Sequence, residues 1–274
     1  MDSATPYLVL GKYTDWFGTT ARIFGVEWPL ALLGWLGFVI SFHVFAGCCT
    51  LIEQPLLDKY AWPQFLRRFR MHFKGRKGYL EMMPLVLFNQ TFVLLPCVLL
   101  VGHKGWGFCS QYALLSLSTL WRVPIALFGM SLGHDVVFYI GHRYILHTHW
   151  GLPIFRHDVH HSTKAADAVS ALFMHPFDFF VEIVLPYLVP YVLIAPLSTS
   201  LLDVFIPVLG VVGGTYEHSG FNFWPDITVL DTRFHAAHHI KWSVSYSDGV
   251  GSTNLMDALM DTAATIESNA LLGH

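Results

Sequence analysis

Charge is scarce in this chain. Asp, Glu, Lys and Arg make up 13% of its residues, against about 25% in an ordinary soluble domain. A surface bathed in water on all sides does not fit that composition. Cysteine is scarce too: Cys48, Cys49, Cys97 and Cys109 are the only four, and no two of them make a C-x-x-C pair. That excludes a zinc-finger pattern and leaves no disulfide framework; the cysteines read as reduced, buried thiols. The net charge of -3 comes without a basic recognition helix or a stacking platform, which removes nucleic acid as a partner. No H-E-x-x-H occurs, so a metalloprotease of that class is excluded. There is no internal repeat and no low-complexity linker. Residues 1–27 lack a basic segment followed by a short apolar core, and no cleavable signal peptide is expected. The final SNALLGH is neither a lumenal retention signal nor a lipidation box.

Apolar length is plentiful. Hydrophobic residues are 54% of the chain, and the mean hydropathy is +0.48. After a short polar-aromatic lead-in over 1–27, Trp28–Leu51 is nearly continuous uncharged apolar sequence, enough for a span of about 20 residues. Lys59, Arg67, Arg68, Arg70, Lys74, Arg76 and Lys77 then place seven of the sixteen basic residues in one loop. Basic loops stay cytosolic, and this one suits anionic headgroups as an interfacial helix. Met82–Gly102 returns across the membrane. Tyr112–Ile140, interrupted by Arg122 and Pro124, comes back. Phe177–Gly214 is broken by several prolines and Asp203, yet is long enough for a helical hairpin. The predicted architecture is an all-α integral membrane protein. It has about four transmembrane helices as two hairpins, with a cytosolic histidine-rich helical domain. Residues 1–114 carry the first hairpin and the basic loop, and 115–274 carry the histidines around the second.

Histidine is the other abundant feature. Gly141–His161 holds six of the sixteen. His157, His160 and His161 stand at i, i+3 and i+4, within one helical face roughly a hundred degrees wide. His235, His238 and His239 repeat that spacing. Adding His142, His147, His175 and His218 gives ten imidazoles on the side of the basic loop. Neutral imidazole binds iron, zinc, copper and nickel. Ten rings exceed the need of one tetrahedral zinc, whereas two metals with four or five nitrogens each use them all. His142 and His147 lie about 140° apart on a regular helix, so they serve different metals or the helix ends between them. Asp135 is placed to accept a ring N–H from His142. Glu217, Asp231 and Asp257 are further carboxylates near the ligands. His43, alone in the first apolar run, reads as a packing residue, and His149 as a surface one. A metal transporter is the reading from another class. Transporters place polar ligands inside the spans, and here nearly all lie at or beyond the membrane ends.

Four stretches carry a resemblance: D-V-V-F-Y-I-G-H-R-Y-I-L-H (Asp135–His147), R-H-D-V-H-H (Arg156–His161), E-H-S-G-F-N-F (Glu217–Phe223) and H-A-A-H-H (His235–His239). In order and spacing they resemble the membrane fatty acid hydroxylase/sterol desaturase superfamily, over about residues 115–262. The H-S-G-F-N-F segment and His175–Pro176 look most like the sterol 4-methyl oxidase and cholesterol 25-hydroxylase branch. The resemblance implies two iron ions, with zinc able to replace them during purification. It also implies molecular oxygen, a lipid, sterol or terpenoid substrate, and electrons from cytochrome b5 and its reductase at the endoplasmic reticulum. Hydroxylation, desaturation and aldehyde formation all share that scaffold. The chain departs from the family pattern in three places. Four residues separate His142 from His147 where H-x-x-x-H is common. Thr148 stands where a second histidine often follows. After the last box, S-Y-S-D-G, Met256–Asp257 and Met260–Thr262 replace the usual N-Y-G, W-D and F-G-T.

Overall fold

The structure, a computed structural model, describes residues 8–14, 18–53, 79–108, 120–165, 167–247, 249 and 252–265. It opens on an antiparallel sheet of β1 (Leu8–Thr14), β2 (Gly18–Ile23) and β3 (Val26–Pro29), in that order. The lead-in is therefore paired backbone, which corrects a wholly helical expectation. The cause is local. Phe24 and Gly25 have φ of 50° and 81°, and two successive positive φ values make the hairpin turn whose twist matches its strands. Arg22 opposes Glu27 across that turn, with the side chains paired at 2.9 Å. The pair is largely solvated, so it marks register more than it adds stability.

Helices make up the rest: α1 (Leu30–Glu53), α2 (Tyr79–Lys104), α3 (Arg122–Leu146), α4 (Gly151–Phe155), α5 (Asp158–His161), α6 (Pro176–Leu197), α7 (Ser200–Glu217), α8 (Arg233–Lys241) and α9 (Leu255–Leu259). Among the described residues, four helices are long and apolar enough to cross a membrane: Leu30–Ile52 of α1, and α2, α3 and α6. The expected third run is a helix from Arg122. Pro124 sits in its first turn, where a missing N–H leaves no bond unmade. The long run Phe177–Gly214 divides between α6 and α7, where Thr199 Oγ1 accepts from the Leu202 N–H at 3.3 Å and caps α7. Each of α2, α3 and α6 contains one π-turn, at Asn89–Leu94, His142–Leu146 and Phe180–Val184. The basic stretch of 54–78 and residues 109–119, Cys109 among them, lie outside the described residues.

α1 lies along α7 and against α2, and α3 lies along α6. The last pair approaches closely because of Gly133, where a Cβ would come 2.8 Å from Pro190 Cγ. The largest core joins Phe38 and Phe42 of α1, Met82 and Val86 of α2, residues 168–174, Phe179 and Val211. Ile40, Val44, Phe92, Phe128 and Leu193 point outward and are exposed. Asn89, Gln90, His134, Asp178 and Glu182 are buried inside the same helices. Apolar outside and polar inside is the arrangement a lipid solvent requires.

Candidate metal centre

α3 delivers two histidines at its end. The helix does not place them on opposite faces, because it widens. His142–Leu146 is a π-turn, and the His147 N–H reaches the His142 carbonyl at 3.0 Å, an i→i+5 bond. The wider turn stacks His147 against His142, and their Nε2 atoms lie 3.3 Å apart. The two rings serve one group, and the helix ends at His147.

The two triplets each divide. His157 and His161, one turn apart, join His142, His147 and His238. His235 and His239, also one turn apart, join His160 and His218. The i+3 ring of each triplet thus crosses to the group held by the other triplet. Within each group the ligand atoms all lie within 4.8 Å of one another. The rings of His161 and His239 stack at 4.4 Å between centroids where the groups meet.

The donor chemistry fits metal ions. His142 Nδ1 faces the Tyr246 carbonyl at 2.8 Å, His238 Nδ1 the Val244 carbonyl at 2.7 Å, and His157 Nδ1 the Asp178 carboxylate at 3.0 Å. Donating Nδ1–H to those oxygens assigns the lone pair to Nε2. The Nε2 atoms then crowd together. His157 Nε2 lies 3.1 Å from that of His142, 3.1 Å from His147 and 3.0 Å from His161, and His238 Nε2 lies 3.2 Å from His161. In the second group, His235 Nε2 lies 2.8 Å from His218 and 3.0 Å from His239. Facing lone pairs repel unless a cation sits among them. Nitrogens held about 2.1 Å from one ion lie roughly 3.0–3.4 Å apart.

The carboxylates act in two ways. Asp178 and Glu182, one turn apart on α6, are buried against the ligands. Glu182 reaches His157 Nδ1 and His160 Nε2, both at 3.4 Å, and so faces one ring of each group. Neither residue was among the sequence candidates. The signal was present as two carboxylates inside an apolar span, which is costly without a function. Asp135 does not accept from His142. It binds Ser247 Oγ at 2.7 Å, Thr253 Oγ1 at 2.6 Å and the Leu255 N–H at 2.7 Å. Asp257 accepts from the Tyr246 and Ser247 N–H groups, both at 2.9 Å. Together they clamp the segment whose Tyr246 carbonyl orients His142. Asp231 accepts from Asn222 and Arg233 and orders the loop before α8. Glu217 is buried beside His218. His175 stands in neither group. It is the N-cap of α6, with Nδ1 accepting from the Phe177 N–H at 3.4 Å, because Pro176 begins the helix there.

Burial decides the charge of the rings outside the spans. It holds His147 down to about 3, with His157 and His160 adding to it. It also holds His160 at about 4 against the pull of Glu182. His161, His218, His238 and His239 are pushed low in the same way. His157 differs: burial lowers it, but Asp178 and Glu182 outweigh burial and raise it to about 10. Neutral imidazoles are the ligand form, and two buried carboxylates are present to balance cationic charge.

No curated protein and no solved structure matches the chain. A family model described as fatty acid hydroxylase matches residues 127–262. That stretch contains all nine converging histidines together with Asp178 and Glu182. The match and the order of the boxes identify residues 127–262 as a region of the fatty acid hydroxylase type, within the membrane fatty acid hydroxylase/sterol desaturase superfamily.

Proposed function

We propose that this protein is a membrane-bound non-haem di-iron oxygenase that hydroxylates a C–H bond of a sterol, terpenoid or other lipid. Its family and its four apolar helices make it a membrane oxidoreductase. The observation that carries the finer reading is the pair of imidazole groups, five rings beside four, with Glu182 facing both. Imidazole with carboxylate suits iron. When bound, the irons supply the oxygen activation needed to attack an unactivated C–H bond. In the balanced reaction one atom of O2 enters the C–H bond to give an alcohol. The other leaves as water, with two protons and two electrons from an external donor. A cytochrome b5-type donor at the cytosolic face of the endoplasmic reticulum fits that requirement.

The protein's own residues position and shield. The Tyr246 and Val244 carbonyls and the Asp178 carboxylate hold three rings by Nδ1, so that Nε2 of each faces inward. Trp242 lies 4.5 Å from the His161 ring and 5.8 Å from that of His147. Tyr246 lies 5.4 Å from His147. These two aromatics cover the first group and exclude water from it. Cells expressing the protein, given isotopically labelled dioxygen, should accumulate a lipid alcohol carrying the label, and the His238→Ala variant should not. A product that has lost two hydrogens and gained no oxygen would reassign the chain to desaturation.

A further inference from the structure

Glu182 lies inside an apolar span, with Phe179, Phe180, Val181, Ile183 and Val184 as its chain neighbours. It is 4% exposed. Among the described residues its ion-pair partners are His157 and His160, and neither Lys nor Arg is among them. A carboxylate in such a place is costly and marks a function. The π-turn of α6, Phe180–Val184, is centred on it, and such turns gather at functional positions.

The two oxygens of Glu182 have different surroundings. Oε2 lies 3.4 Å from His157 Nδ1, which Asp178 already holds at 3.0 Å. Oε1 lies 3.4 Å from His160 Nε2, a buried nitrogen that makes no hydrogen bond. That separation is long for a hydrogen bond. It falls within the roughly 3.0–3.4 Å expected of two donors each about 2.1 Å from one ion. His160 belongs to the group of four, so the ion concerned is the second one. Glu182 also borders a small cavity together with His218 and His235, two more rings of that group. The cavity has about 40 Å3 of room, the scale of a few waters.

Glu182 thus stands at the edge of the four mutually close nitrogens, on the His160 side. A glutamate turns its carboxylate on a soft last torsion, so it can close on an ion that the rings hold. We infer that Glu182 is a ligand of the second metal, its Oε1 joining His160, His218, His235 and His239. Each metal then has five donors: five nitrogens at the first, and four nitrogens with one carboxylate oxygen at the second. The inference rests on the two-metal reading above and makes the two positions unlike. A carboxylate oxygen is a harder donor than imidazole, and the second position alone carries a directly bound negative charge.

The test uses the full-length protein in lipid nanodiscs, stripped of metal and reloaded with cobalt(II), without dioxygen or reductant. Cobalt per chain and its visible absorption are followed against a competing chelator. Wild-type protein should hold two ions. Glu182→Gln keeps the shape and should hold one under the same competition, with the absorption of the His239→Ala protein, whose first group is whole. Two single-metal backgrounds assign the loss to a site. In His238→Ala, whose second group is whole, Glu182→Gln should weaken cobalt binding by more than about 100-fold, beyond the about 10–100-fold of a carboxylate that only orients a ring. In His239→Ala the same substitution should weaken it by about 10-fold or less, because Asp178 still holds His157. Two ions retained by Glu182→Gln, or a loss that is equal in the two backgrounds or larger in His239→Ala, would overturn the inference. The single substitution decides the matter if a double variant does not fold. Fewer than two ions in wild-type protein would show instead that the two-metal reading fails, and the inference with it.

Discussion

Asp178 faces the Nδ1 of His157 with both carboxylate oxygens at 3.0 Å, while the other nitrogen of that ring faces His142, His147 and His161. A buried carboxylate thus lies one imidazole away from the centre of the first histidine group. Asp178→Asn should keep the shape and lose the charge. Partners of this kind are worth about 10–100-fold in metal affinity. Competition with a chelator should show that loss in purified membranes, with protein abundance unchanged. Wild-type affinity would mean that the carboxylate only fills space.

Metal loading should release about one proton from His157. In metal-free protein its pKa is raised to about 10, so the ring carries a proton at neutral pH that a metal must displace. A pH-indicator dye should register that release at pH 8 and its disappearance above about pH 10. Stability of the metal-free protein follows the same shifts. The raised His157 adds stability that is fully present below about 6.5 and lost as pH rises through about 10. His147 and His160, lowered to about 3 and about 4, act in reverse. Below about 6.5 their unfolded rings take up protons that the folded rings refuse, so stability falls on acidification. His161, His218, His238 and His239 shift in the same direction. The melting temperature should therefore decline on both sides of a near-neutral maximum, more steeply toward acid. A midpoint that does not change between pH 5 and 7 would contradict this.

His238→Ala should abolish turnover and reduce bound metal from about two equivalents toward one, while the protein stays in the membrane fraction. Spanning helices satisfy their backbone internally and insert without metal. His43→Ala is the contrast. His43 ties α1 to α2, with Nδ1 3.2 Å from the Tyr79 hydroxyl and Nε2 3.0 Å from Gln90 Oε1. Its loss should cost about 1 kcal/mol of stability and leave metal content intact. Full metal content in the His238 variant would detach that ring from the site.

The spans and the nine converging histidines were legible because most rest on a strong local pattern: long uncharged runs, and two triplets at one helical face. What escaped depended on contacts between distant segments. Asp135 shares a helical face with His142, yet Ser247 and Thr253, more than a hundred residues away, claim its oxygens. His175 looked like a ligand because it opens α6, and the same position makes it a cap. The division of each triplet between two groups follows from how α5 and α8 face each other, which spacing within either helix does not encode. The sheet at 8–29 was hidden by a turn at Phe24–Gly25 that lacks the usual Asn-Gly signature.

Orientation is open to a direct test. Lys164 and Lys241 flank the histidine groups, whereas Lys104 ends α2, at the close of a span that follows the basic stretch. In a cysteine-depleted background, single cysteines at 164 and 241 should react with an impermeant reagent from the cytosolic face of sealed vesicles. A cysteine at 104 should react only after the vesicles are opened. Opposite accessibility of 164 and 241 would break the predicted topology.

The π-turn at His142–Leu146 means that the site tolerates changes of length unequally. Its i→i+5 bond absorbs one residue beyond the spacing at which an ordinary helix stacks two rings on one face. Removing exposed Tyr144 would let the turn relax to a plain helix with both histidines still aligned. Adding a residue would find no wider turn to absorb it, and His147 would swing away from its partners. Deletion and insertion at the same point should thus have opposite outcomes, so a metal box of this kind can be rebuilt by single-residue length changes as well as by substitution.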